Sequence, residues 1–167
     1  MKTNKAGISL IKTFESLHDG DLKRIGLQPK MCPAGIWTEG YGHAMTYNGK
    51  PLKGTENKDL AYKLHKVNNE QEAEKLLRDD LKMVESEVSR LVKVPMNENM
   101  FSALVSFAFN LGAHNLATST LLKYLNSGKL NEAADEFVRW NKCNGEELDG
   151  LTKRRLTEKA LFVSRVA

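Results

Sequence analysis

The sequence has only two cysteines, Cys32 and Cys143, and neither belongs to a CxxC pair. That excludes a disulfide framework and argues against a structural zinc site. Its four histidines, His18, His43, His65 and His114, never take the HExxH spacing of a zincin. No metal and no cofactor is therefore expected. No apolar run reaches the roughly 18–20 residues that a membrane span needs. The most apolar stretch, Phe101 to Ala113, is interrupted by Ser102, Ser106 and Asn110. Lys2, Lys5, Lys12 and Glu15 break up any signal-peptide core at the N-terminus. These absences predict a protein made in the cytoplasm, with no stable membrane insertion, whose export needs outside help.

What is present is ordinary for a globular chain: 167 residues, 41% hydrophobic and 28% charged. That length suits one domain, or two tightly joined lobes, and buries a sizeable core. The net charge is +4, and it is unevenly spread. Residues 1–68 are net basic, residues 69–122 net acidic, and residues 123–167 basic again. A basic balance favours polyanions, whether nucleic acid or an acidic cell envelope, and it equally describes a solvated basic surface.

The pattern predicts a helix over 4–17, capped by Asn4, with Ile8, Ile11, Phe14 and Leu17 on one face. From 18 to 68 the reading changes. Glycines and prolines punctuate short runs, Ile36-Trp37-Thr38 and Tyr41 suggest brief strands, and Asn48-Gly49 signals a hairpin. Asn69 with Glu72 resembles a capping box that opens a long helix over 69–93. Pro95 and Asn97 end it and begin a helix carrying Phe101, Leu104, Val105, Ala108 and Phe109, closed by Asn110-Leu111-Gly112. Further helices are predicted near 118–126, 130–141 and 152–165. The fold class is α+β: a β-rich lobe over 18–68, a connecting helix over 69–93, and a helical lobe from 95–167 together with helix 4–17. The cleft between such lobes is the first place to look for chemistry.

Three places carry candidate chemistry. Glu15 sits at the predicted end of the first helix, at the edge of its apolar stripe, where a carboxylic acid suits general acid catalysis. The glycine-rich stretch Cys32-Pro33-Ala34-Gly35-Ile36-Trp37-Thr38-Glu39-Gly40-Tyr41-Gly42-His43 lets the backbone turn tightly and approach a ligand. Within it, Thr38 offers a hydroxyl to orient water, and His43 can brace a carboxylate or donate to a substrate oxygen. Gly150 to Glu158 opens the last helix with adjacent Arg154 and Arg155, which could restrain a carboxylate or form a solvated basic face. Taken singly, each has an ordinary structural reading: a surface glutamate, a plain hairpin, a buried small thiol.

Taken together, these segments resemble the phage endolysins of glycoside hydrolase family 24, the T4-lysozyme type, nearly end to end. The resemblance rests on Ile11-Lys12-Thr13-Phe14-Glu15, on Gly35 to His43 as G-x-W-T-x-G-Y-G-H, and on Phe107 to Gly112 as F-x-F-N-x-G. Ser119 to Gly128, Arg139-Trp140 and Gly150 to Glu158 complete it. It implies a lysozyme-like fold and a muramidase that cleaves the β-1,4 bond between N-acetylmuramic acid and N-acetylglucosamine in bacterial peptidoglycan. By the same resemblance Glu15 is the general acid, Thr38 helps to place the attacking water, and Cys32 is the third catalytic position. His43, Phe109, Asn110 and Thr120 are substrate-binding positions. Arg154 is the arginine that pairs with the glutamate, with Arg155 as second choice. The resemblance also implies a monomer released through a holin pore to the cell wall for host lysis.

The chain departs from the family twice. Cys32 stands where many members carry aspartate, so the thiol acts either as a thiolate base or nucleophile or only as a holder of water. Sixteen residues, Ser16 to Met31, separate Glu15 from Cys32, more than is usual. The extra residues are expected to lengthen a loop over the cleft, and Asp19 or Asp21 could supply a second carboxylate. The same residues bear on other functions. A non-catalytic peptidoglycan binder has no need of both Glu15 and Thr38. A lytic transglycosylase would give an anhydro-sugar product, and the glutamate alone does not distinguish hydrolysis from that route. No motif supports a nucleic-acid binder, and the acidic middle opposes one.

Overall fold

The computed structural model describes residues 1–166. It consists of helices with small antiparallel sheets, the expected α+β class. The chain divides into two compact units: Met1–Phe14 with everything from Leu81 onward, and Glu15–Asp80.

In the first unit, helix α1 (Lys5–Glu15) begins where predicted. The Asn4 side chain accepts the Gly7 amide at 2.9 Å and donates to Asn99 at 2.8 Å, so one residue caps the helix and ties it to its neighbour. Expected to run to residue 17, the helix stops at Glu15 because Ser16 turns to φ +64°, outside the right-handed helical region.

The second unit is less purely β than its sequence suggests. Strands β1 (Lys30–Met31), β2 (Trp37–Glu39) and β3 (His43–Ala44) form one antiparallel sheet in that order. Strands β4 (Thr46–Tyr47) and β5 (Lys50–Pro51) form the hairpin that Asn48-Gly49 signals, with both turn residues at positive φ. Helix α2 (Lys58–Leu64) was not foreseen. It contributes Ala61 to a small core with Trp37, Met45 and Leu52, too short a contribution for a periodicity to register.

Helix α3 (Glu70–Leu91) lies within the predicted 69–93, and the boundary between the units falls inside it. Asn69 accepts the Glu72 amide at 2.9 Å while its own amide donates to Glu72 at 3.1 Å, a side-chain version of the capping box. The remaining helices belong to the first unit. Helix α4 (Glu98–Leu111), capped by Asn97 on the Met100 amide, is buried without a break from Met100 to Ala108. Around it lie α5 (Ala113–Ala117), α6 (Thr120–Asn126), α7 (Leu130–Glu136) and α8 (Asp149–Val163). Phe107, Phe137, Trp140 and Phe162 form an aromatic cluster with ring centroids 5.4–5.7 Å apart. A two-stranded hairpin, β6 (Lys142–Cys143) and β7 (Glu146–Glu147), also unforeseen, precedes α8.

Candidate active site

Glu15 is the last residue of α1, half-buried, and the chain reverses immediately after it. The reversal is held by the His18 amide, which donates to the Gly40 carbonyl at 2.9 Å. Gly42, at φ +76°, then passes close to the carboxyl: a Cβ there would sit 3.3 Å from Glu15 Cδ and Oε1. Only a glycine gives both that backbone conformation and that approach without strain. The glycine-rich stretch thus shapes one wall beside the proposed general acid.

The sheet brings two more candidates together. The Cys32 amide donates to the Ile36 carbonyl at 2.8 Å and the Gly35 amide to the Cys32 carbonyl at 2.8 Å, so Cys32-Pro33-Ala34-Gly35 is a tight turn. Lys30 pairs with Thr38 and Met31 with Trp37. Because side chains alternate along a strand, Cys32 and Thr38 share one face of the sheet, and Met31 and Trp37 take the other. Thr38 is buried and its hydroxyl donates to the Ile36 carbonyl at 3.2 Å. Cys32 is a free, half-buried thiol. Its thiol has no hydrogen-bonding or charged partner among the described residues.

His43, on β3, is held through Nδ1 by Asp80 Oδ2 at 2.7 Å. That hydrogen bond raises its pKa above the usual histidine value; burial opposes the rise, and the Asp80 and Glu39 charges add to it. Asp80 was not singled out from the sequence. The extended loop after Glu15 uses its acids structurally. Asp19 accepts the backbone amides of Asp21 at 3.1 Å and Gln28 at 3.3 Å, and Asp21 accepts that of Lys23. A Cβ on Gly20 would collide with the Pro29 carbonyl, which explains the glycine there.

The other predicted residues belong to the first unit. Phe109 and Asn110 lie in the last turn of α4, Phe109 half-buried and Asn110 exposed. Thr120 is the exposed first residue of α6. The adjacent arginines are not a solvated face: both are buried on α8. Glu158, a helical turn further on, lies between them, with Nε of Arg155 at 2.9 Å and Nε of Arg154 at 3.4 Å. The Arg155 approach is an ion pair without hydrogen-bond alignment. Ser106 donates to Glu158 at 2.5 Å, Arg154 donates to the Ser106 carbonyl at 3.3 Å, and Arg155 donates to Asn110 Oδ1 at 2.6 Å. Burial pushes Glu158 up and Arg155 down to about 10. The spacing of Glu158, three and four residues beyond the arginines, was the sequence signal for this cluster. Among the described residues no group of acids, histidines or cysteines is arranged to hold a metal, and no helix is long and apolar enough to cross a membrane.

The profile of the phage lysozyme family matches residues 23–158. An endolysin of Bacillus phage B103 is 40% identical over 98% of this chain, which spans 55% of that relative's length. An endolysin of Acyrthosiphon pisum secondary endosymbiont phage 1 is 37% identical, over 98% of this chain and 99% of its own. Among solved structures, the muramidase domain of SpmX from Asticaccaulis excentricus superposes with a TM-score of 0.75 at 33% identity, covering 98% of this chain and 99% of that one. With the family profile spanning most of its length and a relative matched end to end, the chain belongs to the phage lysozyme family.

Proposed function

We propose that this chain is an endolysin-type muramidase that hydrolyses the β-1,4 bond between N-acetylmuramic acid and N-acetylglucosamine in peptidoglycan. The observation that carries the reading is Glu15, fixed at the end of α1 with the Gly42 backbone against its carboxyl. The endolysins and the muramidase domain that the chain is similar to support the substrate class.

Glu15 donates a proton to the glycosidic oxygen as the bond to the sugar breaks, and water attacks the sugar carbon. Thr38 and Cys32, sharing one sheet face, hold that water. Cys32 is a free, half-buried thiol with no hydrogen-bonding partner among the described residues, which suits a water-holding role. His43 fixes the strand beside Gly42 through Asp80. Phe109, Asn110 and Thr120 contact saccharide, and Arg154 restrains the glutamate, in the roles that family resemblance gives them. The enzyme acts as a monomer, made in the host cytoplasm and released to the wall through a holin.

The test is mass spectrometry of fragments released from purified peptidoglycan, with Glu15→Gln and Cys32→Ser alongside. Free muramic-acid reducing ends, lost in Glu15→Gln and kept in Cys32→Ser, are expected. Anhydro ends would make the enzyme a transglycosylase, and loss in Cys32→Ser would require a thiolate. Lysis that depends on a co-expressed holin and a monomer mass in sedimentation are the matching expectations for the chain's biology.

A further inference from the structure

The two buried arginines of α8 serve different neighbours. The Arg154 guanidinium lies 5.9 Å from the centre of the Phe14 ring and donates to the Ser106 carbonyl at 3.3 Å. Arg155 turns to the end of α4 instead, where its guanidinium lies 5.2 Å from the centre of the Phe107 ring. Arg155 is 0% exposed, and its Nε and Nη1 have no hydrogen-bond partner among the described residues. Its Nη2 donates to Asn110 Oδ1 at 2.6 Å. A cation sealed inside the unit thus directs its hydrogen bond at an exposed side chain.

Burying a guanidinium is costly, and one kept only to brace two helices would turn its N–H groups to the nearest carboxylate. Glu158 is that carboxylate, 2.9 Å away, yet its approach to Arg155 lacks hydrogen-bond alignment. Glu158 accepts its hydrogen bonds from Ser106 and Arg154. The Arg155 fork is left for Asn110. A guanidinium donates and never accepts, so the oxygen of the Asn110 carboxamide must be the atom that faces it. The amide N–H2 then points the other way, and it has no partner among the described residues. Burial draws Arg155 down only to about 10, so the cation and this arrangement persist at neutral pH.

We propose that Arg155 is a positioning residue that locks the Asn110 carboxamide with its N–H2 facing outward, as a donor to an acceptor oxygen of the glycan strand. The proposal rests on the peptidoglycan reading above, in which Asn110 meets saccharide. An unrestrained carboxamide presents its oxygen as readily as its nitrogen, and ordering it on binding lowers affinity. Arg155 removes that choice before the sugar arrives. Being fully buried, it touches no substrate itself and acts through Asn110.

The test is a double-mutant cycle in the kinetics on soluble glycan strands. Arg155→Met keeps an unbranched chain in the core and leaves Glu158 paired with Arg154. It is expected to raise KM about three- to tenfold while kcat moves by less than about twofold, as when binding shared by ground and transition states is lost. In an Asn110→Ala background the same substitution should leave KM where Asn110→Ala alone puts it. Where Arg155→Met fails to fold, Arg155→Lys enters the same cycle, with a smaller rise in KM because its charge is kept and its planar fork is not. Asn110→Asp still accepts from Arg155 but turns an acceptor outward, so it should melt no lower than the wild type and raise KM at least as much as Asn110→Ala. Additive effects of the Arg155 and Asn110 substitutions, or a wild-type KM in Asn110→Asp, would overturn the assignment and make Arg155 a strut between α4 and α8. Calorimetry with a soluble peptidoglycan tetrasaccharide needs no turnover. A wild type that binds it, shows the same cycle in Kd and yet cuts no strand would sink the muramidase reading alone. Variants that all bind and cut as the wild type does would sink the positioning role alone.

Discussion

The bond between His43 and Asp80 offers a clean electrostatic test, because Asp80→Asn removes the charge and preserves the shape. Asparagine still accepts the Nδ1–H, so the hydrogen bond survives and the ion pair does not. At 2.7 Å, with the side chains 33% and 24% exposed, the pair is partly screened. Unit charges about 4 Å apart interact by about 1 kcal/mol in water and about 4 kcal/mol at an effective dielectric of 20. Discounting for solvent on both groups leaves a net of about 1–2 kcal/mol. The sign follows from the direction of the shift. His43 binds its proton more tightly folded than unfolded, so the stabilisation is complete below the unfolded histidine value of about 6.5. It is lost as pH rises through the raised folded value. In a chain of this size each kcal/mol moves Tm by about 2–4 °C. Wild type should therefore melt roughly 2–8 °C above Asp80→Asn at pH 5.5, and the curves should converge in alkali. Thermal unfolding followed by circular dichroism from pH 5 to 10 measures this. A gap that stays constant with pH, or widens above neutrality, would refute the reasoning.

Other changes test separate parts of the structure. Glu158→Gln leaves the fully buried Arg155 without its counter-charge, and should cost about 3–5 kcal/mol in denaturant unfolding; a loss under about 1 kcal/mol would mean the cluster is hydrated. Gly42→Ala forces an L-residue to φ +76° and sets a methyl against the Glu15 carboxyl, so stability should fall by about 1–2 kcal/mol and kcat should fall more than KM rises. Unchanged turnover would show that this approach has no part in catalysis. Asp19→Ala removes the acceptor shared by the Asp21 and Gln28 amides, and trypsin should then nick at Lys23 and Arg24 several-fold faster with little change in Tm. Equal cleavage would mean that other contacts hold the loop.

What could be read from the sequence follows from how far each signal extends. Helices α3 and α4 carry apolar stripes over many turns and asparagine caps, so their beginnings were visible from residue types alone. Helix α2 buries a single alanine within seven residues, and no period can register over that length. The β6–β7 hairpin was overlooked even though Asn144-Gly145 repeats the signal read at Asn48-Gly49; its exposed strands show no apolar alternation to support it. At the candidate site, Glu15, Cys32, Thr38 and His43 were found by family motif. Asp80 escaped because it meets His43 from 37 residues away, a pairing only the folded chain makes. Arg154 and Arg155 were noticed as charges, but their burial was not, since it arises from packing against Phe107 and Ser106 on another helix.

The loop that follows Glu15 has a further consequence for protein engineering. The Gly20 amide meets the Gln28 carbonyl at 3.0 Å, so the two ends of the excursion already touch before its tip is reached. At that tip Leu22 and Ile25 are 86% and 102% exposed, contributing no core. The stretch between the joined ends is a ready-made graft point. A peptide tag, a fluorophore-binding hairpin or a small targeting domain placed there would enter the chain at a closed neck, with the closure entropy already met by the scaffold.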